Sequence, residues 1–349
     1  HDQALEGIGS GTRISTITNG GAADATLTLG AGIDRSYDGT IADGPTHRTS
    51  LVKTGASTLS LTEVQTYTGL TDVQEGIVEF LPGLPDSSLP ANLKIMPLGD
   101  SITNGSSGSH AGYRGFLHDL LTPVAASFEF VGPTVNNPDD LPTSPIDQTH
   151  HCGFSSYPTV YLMRNLDGLD TTSFDLLGGA SRDPQGGYWL TGGNGTGRAP
   201  IAPDFALLMV GANDITWGQN GWGEGVSLAQ YPENLTNLLN TFLSIRPNTH
   251  IIVARPTPGD KHGAKIDTLT AAVDTVVAAL QAEGKPVSKV DLNTGFPLPG
   301  GISNDNIHPT DIGYEWMAER WFEAIAAVAA SSGAGGAPAS LPDLSLIHI

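Results

Sequence analysis

From Lys94 onward, apolar runs alternate with amphipathic helical patterns, and this alternation restricts the fold more than any other feature of the chain. KIMPL (94–98), FEFVG (128–132), FALLMVG (205–211), HIIVARP (250–256) and VSKVDL (287–292) are short apolar runs suited to strands buried on both faces. Between them, Leu235, Leu238, Leu239, Phe242 and Leu243 recur at helical spacing and form one stripe. Residues 264–283 predict an Ala-rich helix ended by Gly284 and Pro286. Residues 310–330 place Ile312, Trp316, Met317, Phe322 and Ile325 on one apolar face. Strands that alternate with helices imply an α/β fold with a parallel, helix-covered sheet.

The first ninety residues obey a different period. ATLTL (25–29), YDGTIADG (37–44), TSLVKTG (49–55), STLSL (57–61) and VQEGIVEFL (73–81) alternate every second residue and are punctuated by Gly and Asp. They predict strands joined by tight turns, and the segment lacks helical periodicity. LPGLPDSSLPA, with three prolines, predicts a linker at 81–91. A length of 349 residues exceeds the roughly 250–300 that one core serves, which agrees with two domains. The expected boundaries are 1–90, 92–330 and a flexible tail at 331–349 (SSGAGGAPASLPD and beyond).

Charge narrows the partners. Lys and Arg number 16 against 36 Asp and Glu, a net of −20, without a basic cluster that could neutralise phosphates, so nucleic acid is excluded as a partner. The single Cys152 excludes an intramolecular disulfide, a four-cysteine zinc site and a two-cysteine redox motif. Apolar runs fall well short of the roughly 20 residues of a membrane span. His1 in place of Met is expected of a processed or cloned fragment from which any signal peptide has been removed.

Three motifs lie where strand ends meet helices. Gly99-Asp100-Ser101-Ile102 directly follows KIMPL, so the Ser101 hydroxyl and N–H emerge at the C-terminal edge of the sheet, where ligands bind. An acyl-transfer nucleophile needs such a place, although a serine helix cap preceded by Asp would read the same. Gly211-Ala212-Asn213-Asp214 ends FALLMVG, and an amide there could donate toward an oxyanion or simply form a Gly-Asn turn. Asp305 precedes His308 by three residues just before the last helix, and its carboxylate can fold back onto Nδ1–H; an incidental pair on a solvated loop is the alternative. Taken in chain order, the three motifs occupy one edge of one sheet.

In that order these residues resemble an SGNH/GDSL-type hydrolase over residues 93–330, through Gly99-Asp100-Ser101-Ile102, Gly211-x-Asn213-Asp214 and Asp305-x-x-His308-Pro309. The stretch IMPLGDSIT followed by Gly112-Tyr113-Arg114 resembles the acetylxylan-esterase branch of that superfamily. The resemblance implies a three-layer α/β/α fold around a flavodoxin-like, parallel five-stranded sheet. It also implies Ser101 as nucleophile, His308 as general base and Asp305 as the residue orienting His308. The oxyanion hole would take the Ser101 N–H, the Asn213 side chain and an N–H of the second loop. That loop is His151-Cys152-Gly153-Phe154-Ser155-Ser156-Tyr157, with Ser156 where the branch has a donor glycine. A serine resists the positive φ that glycine tolerates, which leaves Gly153 as the fallback donor.

Aromatic residues beside Asn213, Trp217 and Trp222, would stack on a sugar ring or an aryl acyl group or else plug the loops. With Asp100 and Tyr157 they are the expected substrate contacts. Residues 165–203, with Tyr188-Trp189, form an insertion, and Arg114 is expected to be structural. The adjacent pair His150-His151 lacks a fourth ligand at zinc spacing, so neither a metal nor another cofactor is implied. Farther upstream, Leu51, Lys53, Gly55, Leu59 and Leu61, then Tyr67, Gly69, Thr71, Val73 and Gly76, resemble the autotransporter-associated β-strand repeat. That resemblance implies a β-helix-like extracellular spacer on a bacterial, secreted or cell-surface protein. The expected function is a serine esterase that deacetylates O-acetylated plant polysaccharide such as xylan. Alternatives are a promiscuous short-chain or aryl esterase and a non-catalytic carbohydrate-binding or adhesion module.

Overall fold

The computed structural model describes residues 3–5, 16–30, 35–37, 39–61, 65–80, 92–122, 125, 127–134, 149–168, 187–193, 198–220, 226–259 and 261–333. The chain divides into two compact units, His1–Leu89 with Ala326–Ile349, and Pro90–Ile325. The linker expected at 81–91 lies outside the described residues, and so does the tail expected at 331–349 except for 331–333, which are helical.

The N-terminal residues form a coil of short parallel strands: β1 (Gln3–Leu5), β2 (Thr16–Thr18), β3 (Ala25–Gly30), β4 (Arg35–Tyr37), β5 (Thr40–Ala42), β6 (Thr49–Thr54), β7 (Thr58–Leu61), β8 (Thr71–Val73) and β9 (Ile77–Phe80). They stack in the orders β1-β3-β6-β8, β2-β5 and β4-β7-β9, all parallel. In β6 the burial alternates strictly, and Leu27, Leu29, Tyr37, Ile41, Leu51, Leu59 and Leu61 fill the coil's interior. The run VQEGIVEFL, expected as one strand, is two strands of different sheets. Gly76 separates them at a φ of 80°, where the chain turns a corner of the coil. Lys53 is buried inside this unit, and its Nζ donates to the carbonyls of Thr54 at 2.8 Å and Gly55 at 2.6 Å.

The second unit is the expected α/β fold. Its order is β10 (Leu93–Gly99), α1 (Ser101–Asn104), α2 (Tyr113–Leu121), β11 (Phe128–Phe130), β12 (Cys152–Gly153), α3 (Thr159–Leu166), β13 (Phe205–Met209), α4 (Ala212–Asn220), α5 (Tyr231–Ile245), β14 (His250–Arg255), α6 (Lys265–Ala282), β15 (Val287–Asp291) and α7 (Asp311–Gly333). The sheet runs β11-β10-β13-β14-β15, all parallel, with the two-residue β12 added beside the end of β10. Numbered from β10 this is the 2-1-3-4-5 order of a flavodoxin-like sheet, whose direction of winding reverses between β10 and β13. Met96, Leu98, Ala206, Leu208, Ile251 and Val253 pack with α3, α5 and α6 in one core. Ile95, Leu207, Ile252 and Ala254 point to the opposite face and are equally buried, so both faces are covered.

One local expectation is corrected. Ile312, expected on the apolar face of α7, is 57% exposed, whereas Trp316, Met317, Phe322 and Ile325 are buried. Trp189 of the insertion is fully buried and stacks on Phe154 at 5.2 Å, a core plug.

Candidate active site

The site lies at the C-terminal ends of β10 and β13, the crevice that the reversal of winding opens. Gly99 closes β10 opposite Met209 and Gly153, and a Cβ on it would stand 2.2 Å from the Met209 carbonyl oxygen, so the close approach requires glycine. Asp100 then caps the one-turn helix α1, its Oδ1 accepting the Ile102 N–H at 3.0 Å. Ser101 opens that turn half-buried, with its N–H among the donors that a helix start leaves without an intrahelical acceptor.

The loop before α7 brings His308 to Ser101. Ser303 N–H donates to the His308 carbonyl, which closes the loop into a tight turn, and Asn306 takes a φ of 60° within it. His308 Nε2 lies 2.8 Å from Ser101 Oγ and Nδ1 lies 2.5 Å from Asp305 Oδ2. Asp305 cannot donate while ionised, so Nδ1 carries the proton and Nε2 is the acceptor for the Ser101 hydroxyl. Burial alone would raise the Asp305 carboxyl. Hydrogen bonds from the His308 ring, the His308 and Ile307 N–H groups and the Ser303 hydroxyl outweigh it and hold the group well below the carboxylate range. The structure thus brings together Ser101, His308 and Asp305, residues that lie at opposite ends of the unit's sequence.

Asn213 stands in the first turn of α4, after Gly211 at a φ of 134°, and its Nδ2 donates to the Tyr157 carbonyl at 3.2 Å. One of its two amide hydrogens is spent there, and the second can serve the crevice. Ser156 adopts the left-handed φ of 67° that a serine is expected to resist, within the turn closed by Tyr157 N–H on the Phe154 carbonyl. Gly153, the fallback donor, is corrected: its N–H donates to His151 Nδ1 at 3.0 Å inside the protein. That bond leaves the proton of neutral His151 on Nε2, and burial holds the ring well below the usual histidine range.

Two expected substrate contacts are also corrected. Asp100 is 1% exposed and works as a cap, and burial raises its carboxyl to about 6. Tyr157 is 6% exposed, with its ring stacked on Phe154 at 5.0 Å, so its backbone carbonyl serves the site and its ring serves the core. The side chain of Trp217, and Trp222 altogether, lie outside the described residues. Among the described residues there is no group of three or more His, Cys, Asp or Glu side chains that could hold a metal ion.

Asp214 is a supporting residue that sequence reasoning left without a role of its own. Its Oδ2 accepts both the N–H and the hydroxyl of Thr159 at 3.0 Å, tying α4 to the start of α3. Its Oδ1 is buried without a partner, and burial raises the carboxyl to about 7, against the lowering effect of the Thr159 bonds. The Gly-x-Asn-Asp string held only a partial signal, because neighbouring positions of a helix face different directions and the string does not say which way Asp214 points.

Residues 143–316 match the model of the GDSL-like lipase/acylhydrolase family, a span that takes in Asn213, Asp305 and His308 and begins after Ser101. Residues 51–80 match the passenger-associated-transport-repeat. A multidomain esterase of Ruminococcus flavefaciens is 29% identical over 273 residues, 71% of this chain and 30% of that protein, so the chain spans under a third of that relative. A family 3 carbohydrate esterase of Clostridium thermocellum superposes with a TM-score of 0.51 at 28% identity, covering 69% of this chain and 100% of that one. An acetyl esterase mutant with acetate ion shares the fold, with a TM-score of 0.50 at 20% identity over 68% of this chain and 98% of that one.

Proposed function

We propose that residues Pro90–Ile325 form an acylhydrolase domain of the GDSL/SGNH type that cleaves carboxylic esters through an acyl-Ser101 intermediate. The observation that carries the proposal is the continuous chain from Ser101 Oγ through His308 to Asp305, at 2.8 and 2.5 Å. As the Ser101 oxygen bonds to the ester carbonyl carbon, its proton passes to His308 Nε2. The imidazolium so formed faces a carboxylate that stays ionised throughout, since Asp305 is held far below neutrality. The carbonyl oxygen, now anionic, takes the Ser101 N–H, the second Asn213 amide hydrogen and a donor of the second loop at Ser156.

His308 then returns the proton to the departing alkoxide, and the carbon–oxygen bond to the alcohol breaks. Water repeats the cycle on the acyl-enzyme: His308 takes its proton, the hydroxide adds to the carbonyl, and Ser101 leaves with the proton restored. The products are one carboxylic acid and one alcohol.

The substrate we propose is an O-acetyl group on a plant polysaccharide such as xylan. Support comes from the carbohydrate esterase of Clostridium thermocellum and the multidomain esterase of Ruminococcus flavefaciens among the relatives. The repeat at residues 51–80 supports placement on a secreted or cell-surface bacterial protein. Among the described residues, no helix is long and apolar enough to cross a membrane.

Acetate release from acetylated xylan, measured beside hydrolysis of p-nitrophenyl acetate and butyrate, tests this reading, with Ser101→Ala as the blank. Release from both substrate classes, abolished in the variant, is the expected result. Turnover of the small esters alone would move the substrate to short-chain or aryl esters. Inertness toward all of them would favour a binding module on a hydrolase fold.

A further inference from the structure

The loop that leaves the nucleophile turn is strained and firmly held. Gly105 at a φ of 97° and Gly112 at 62° bracket it, and two residues with side chains, Ser107 at 68° and Ala111 at 55°, share the left-handed region. Such conformations persist where the surroundings impose them. What imposes them here is the first turn of α7. Asp311 spends both carboxylate oxygens on Ser109: Oδ1 accepts its N–H at 2.7 Å and Oδ2 accepts its hydroxyl at 2.5 Å. Ser109 Oγ, already donating, accepts from His110 Nδ1 at 2.9 Å, and the His110 ring stacks on Phe116 at 4.6 Å.

One turn further along α7, Tyr314 is buried and its hydroxyl donates to the Ser106 carbonyl at 2.7 Å. Its ring fits against two glycines of the loop, since a Cβ on Gly108 would lie 2.7 Å and one on Gly112 3.1 Å from ring carbons. The near end of the loop is fixed as well, by Ser106 N–H on the Ser101 carbonyl.

Asp311 follows His308 by three residues, and Ser109 follows Ser101 by eight. The base and the nucleophile therefore reach the same bracket along two short stretches of chain, while their own mutual bond spans 207 residues of sequence. We propose that Asp311 is a positioning residue: its two-oxygen grip on Ser109 sets the approach of Ser101 Oγ to His308 Nε2. A helix-capping role alone would need neither the hydroxyl bond nor a partner 202 residues away. The proposal rests on the acyl-Ser101 reading, because it assigns Asp311 to the geometry of that proton transfer.

The test uses the full chain with p-nitrophenyl acetate as substrate and a fluorophosphonate as a label for Ser101, with rates normalised to titrated sites. Asp311→Ala removes both bonds, Asp311→Asn keeps an acceptor for the Ser109 N–H, and Ser109→Ala removes the hydroxyl bond alone. A displacement of the reacting pair by a fraction of an ångström up to about 1 Å predicts a loss of roughly 10–100-fold in kcat for Asp311→Ala. The labelling rate should fall in parallel while KM stays within about threefold. Asp311→Asn should recover part of the loss, and Ser109→Ala should cost little more once Asp311 is already Ala, because the two share one interaction.

A lower melting temperature with per-site kcat unchanged would make Asp311 purely structural and overturn the proposal, as would a change confined to KM. Should Asp311→Ala fail to fold, Ser109→Ala decides: wild-type kcat and labelling in that variant also overturn it. A wild-type protein inert to ester and label alike would remove the acyl-Ser101 reading first, and this proposal with it.

Discussion

The two units treat buried polarity in opposite ways. In the β-coil, the ammonium of Lys53 is sealed from solvent and satisfied, with the Thr54, Gly55 and Glu75 carbonyls around it. Beneath the crevice of the α/β unit, buried polar atoms lack partners among the described residues: Arg114 Nε, His151 Nε2 and Asp214 Oδ1. An unpaired buried polar group costs roughly 1–3 kcal/mol, so three in one unit are a burden that stability alone would not keep. The coil spends polarity on its own cohesion. The α/β unit spends it on holding a hydroxyl, an imidazole and an amide at one sheet edge, and departures from full satisfaction are expected at such a site.

The sharpest way to break this contrast is Ser101→Ala. If the crevice is where the chemistry lies, kcat on p-nitrophenyl acetate should fall by at least about 10³-fold with the fold intact. Near-wild-type turnover would remove Ser101 from the reaction. Asn213→Ala comes next, with an expected loss of roughly 10²–10³ in kcat if its free amide hydrogen meets the oxyanion. A change in KM alone would confine Asn213 to its bond with the Tyr157 carbonyl.

Much of this could be read from the sequence. The five strands of the α/β sheet were legible because strands buried on both faces leave unbroken apolar runs, and the order of the three motifs placed Ser101, Asn213, Asp305 and His308 on one edge. Side-chain direction was not legible. Asp100 and Tyr157 have the right chemistry at the right places, yet one faces its own backbone and the other the core. Gly153 was lost as a donor to His151, two residues away, because residue identity does not say which N–H an imidazole will take. VQEGIVEFL read as one strand because its alternation continues across the corner at Gly76. The bond from Ser109 to Asp311 spans 202 residues and leaves no periodic trace at all.

The pH dependence of stability sharpens the contrast on the side of the α/β unit. Burial raises Asp214 to about 7 and Asp100 to about 6, above the roughly 3.9 expected of an unfolded chain. Between those limits the folded protein binds more protons than the unfolded chain. The associated stability is complete below about pH 4 and is lost as pH rises through 6 to 7. Asp214→Asn deletes one such group and leaves a constant offset from the amide it introduces. Its unfolding free energy relative to wild type should therefore improve steadily from pH 4 to pH 7.5, by a difference on the order of a few kcal/mol. Parallel curves for the two proteins would mean that Asp214 does not titrate in that window.

The smallest expected effect tests the coil. Lys53→Met keeps the apolar stem and removes the ammonium, leaving the Thr54 and Gly55 carbonyls without their donor at a site that is 1% exposed. The expected cost is about 1–3 kcal/mol, with kcat on p-nitrophenyl acetate unchanged. The tryptophans allow the loss to be located, because all 5 lie at or after Trp189 and tryptophan fluorescence reports on the α/β unit alone. Far-ultraviolet circular dichroism follows both units. If the coil's polarity serves its own cohesion, Lys53→Met lowers a dichroism transition and leaves the fluorescence transition where it was. A joint shift of both signals would make the two units one cooperative system, in which the satisfied lysine of the coil also underwrites the strained loop and unpaired groups of the crevice.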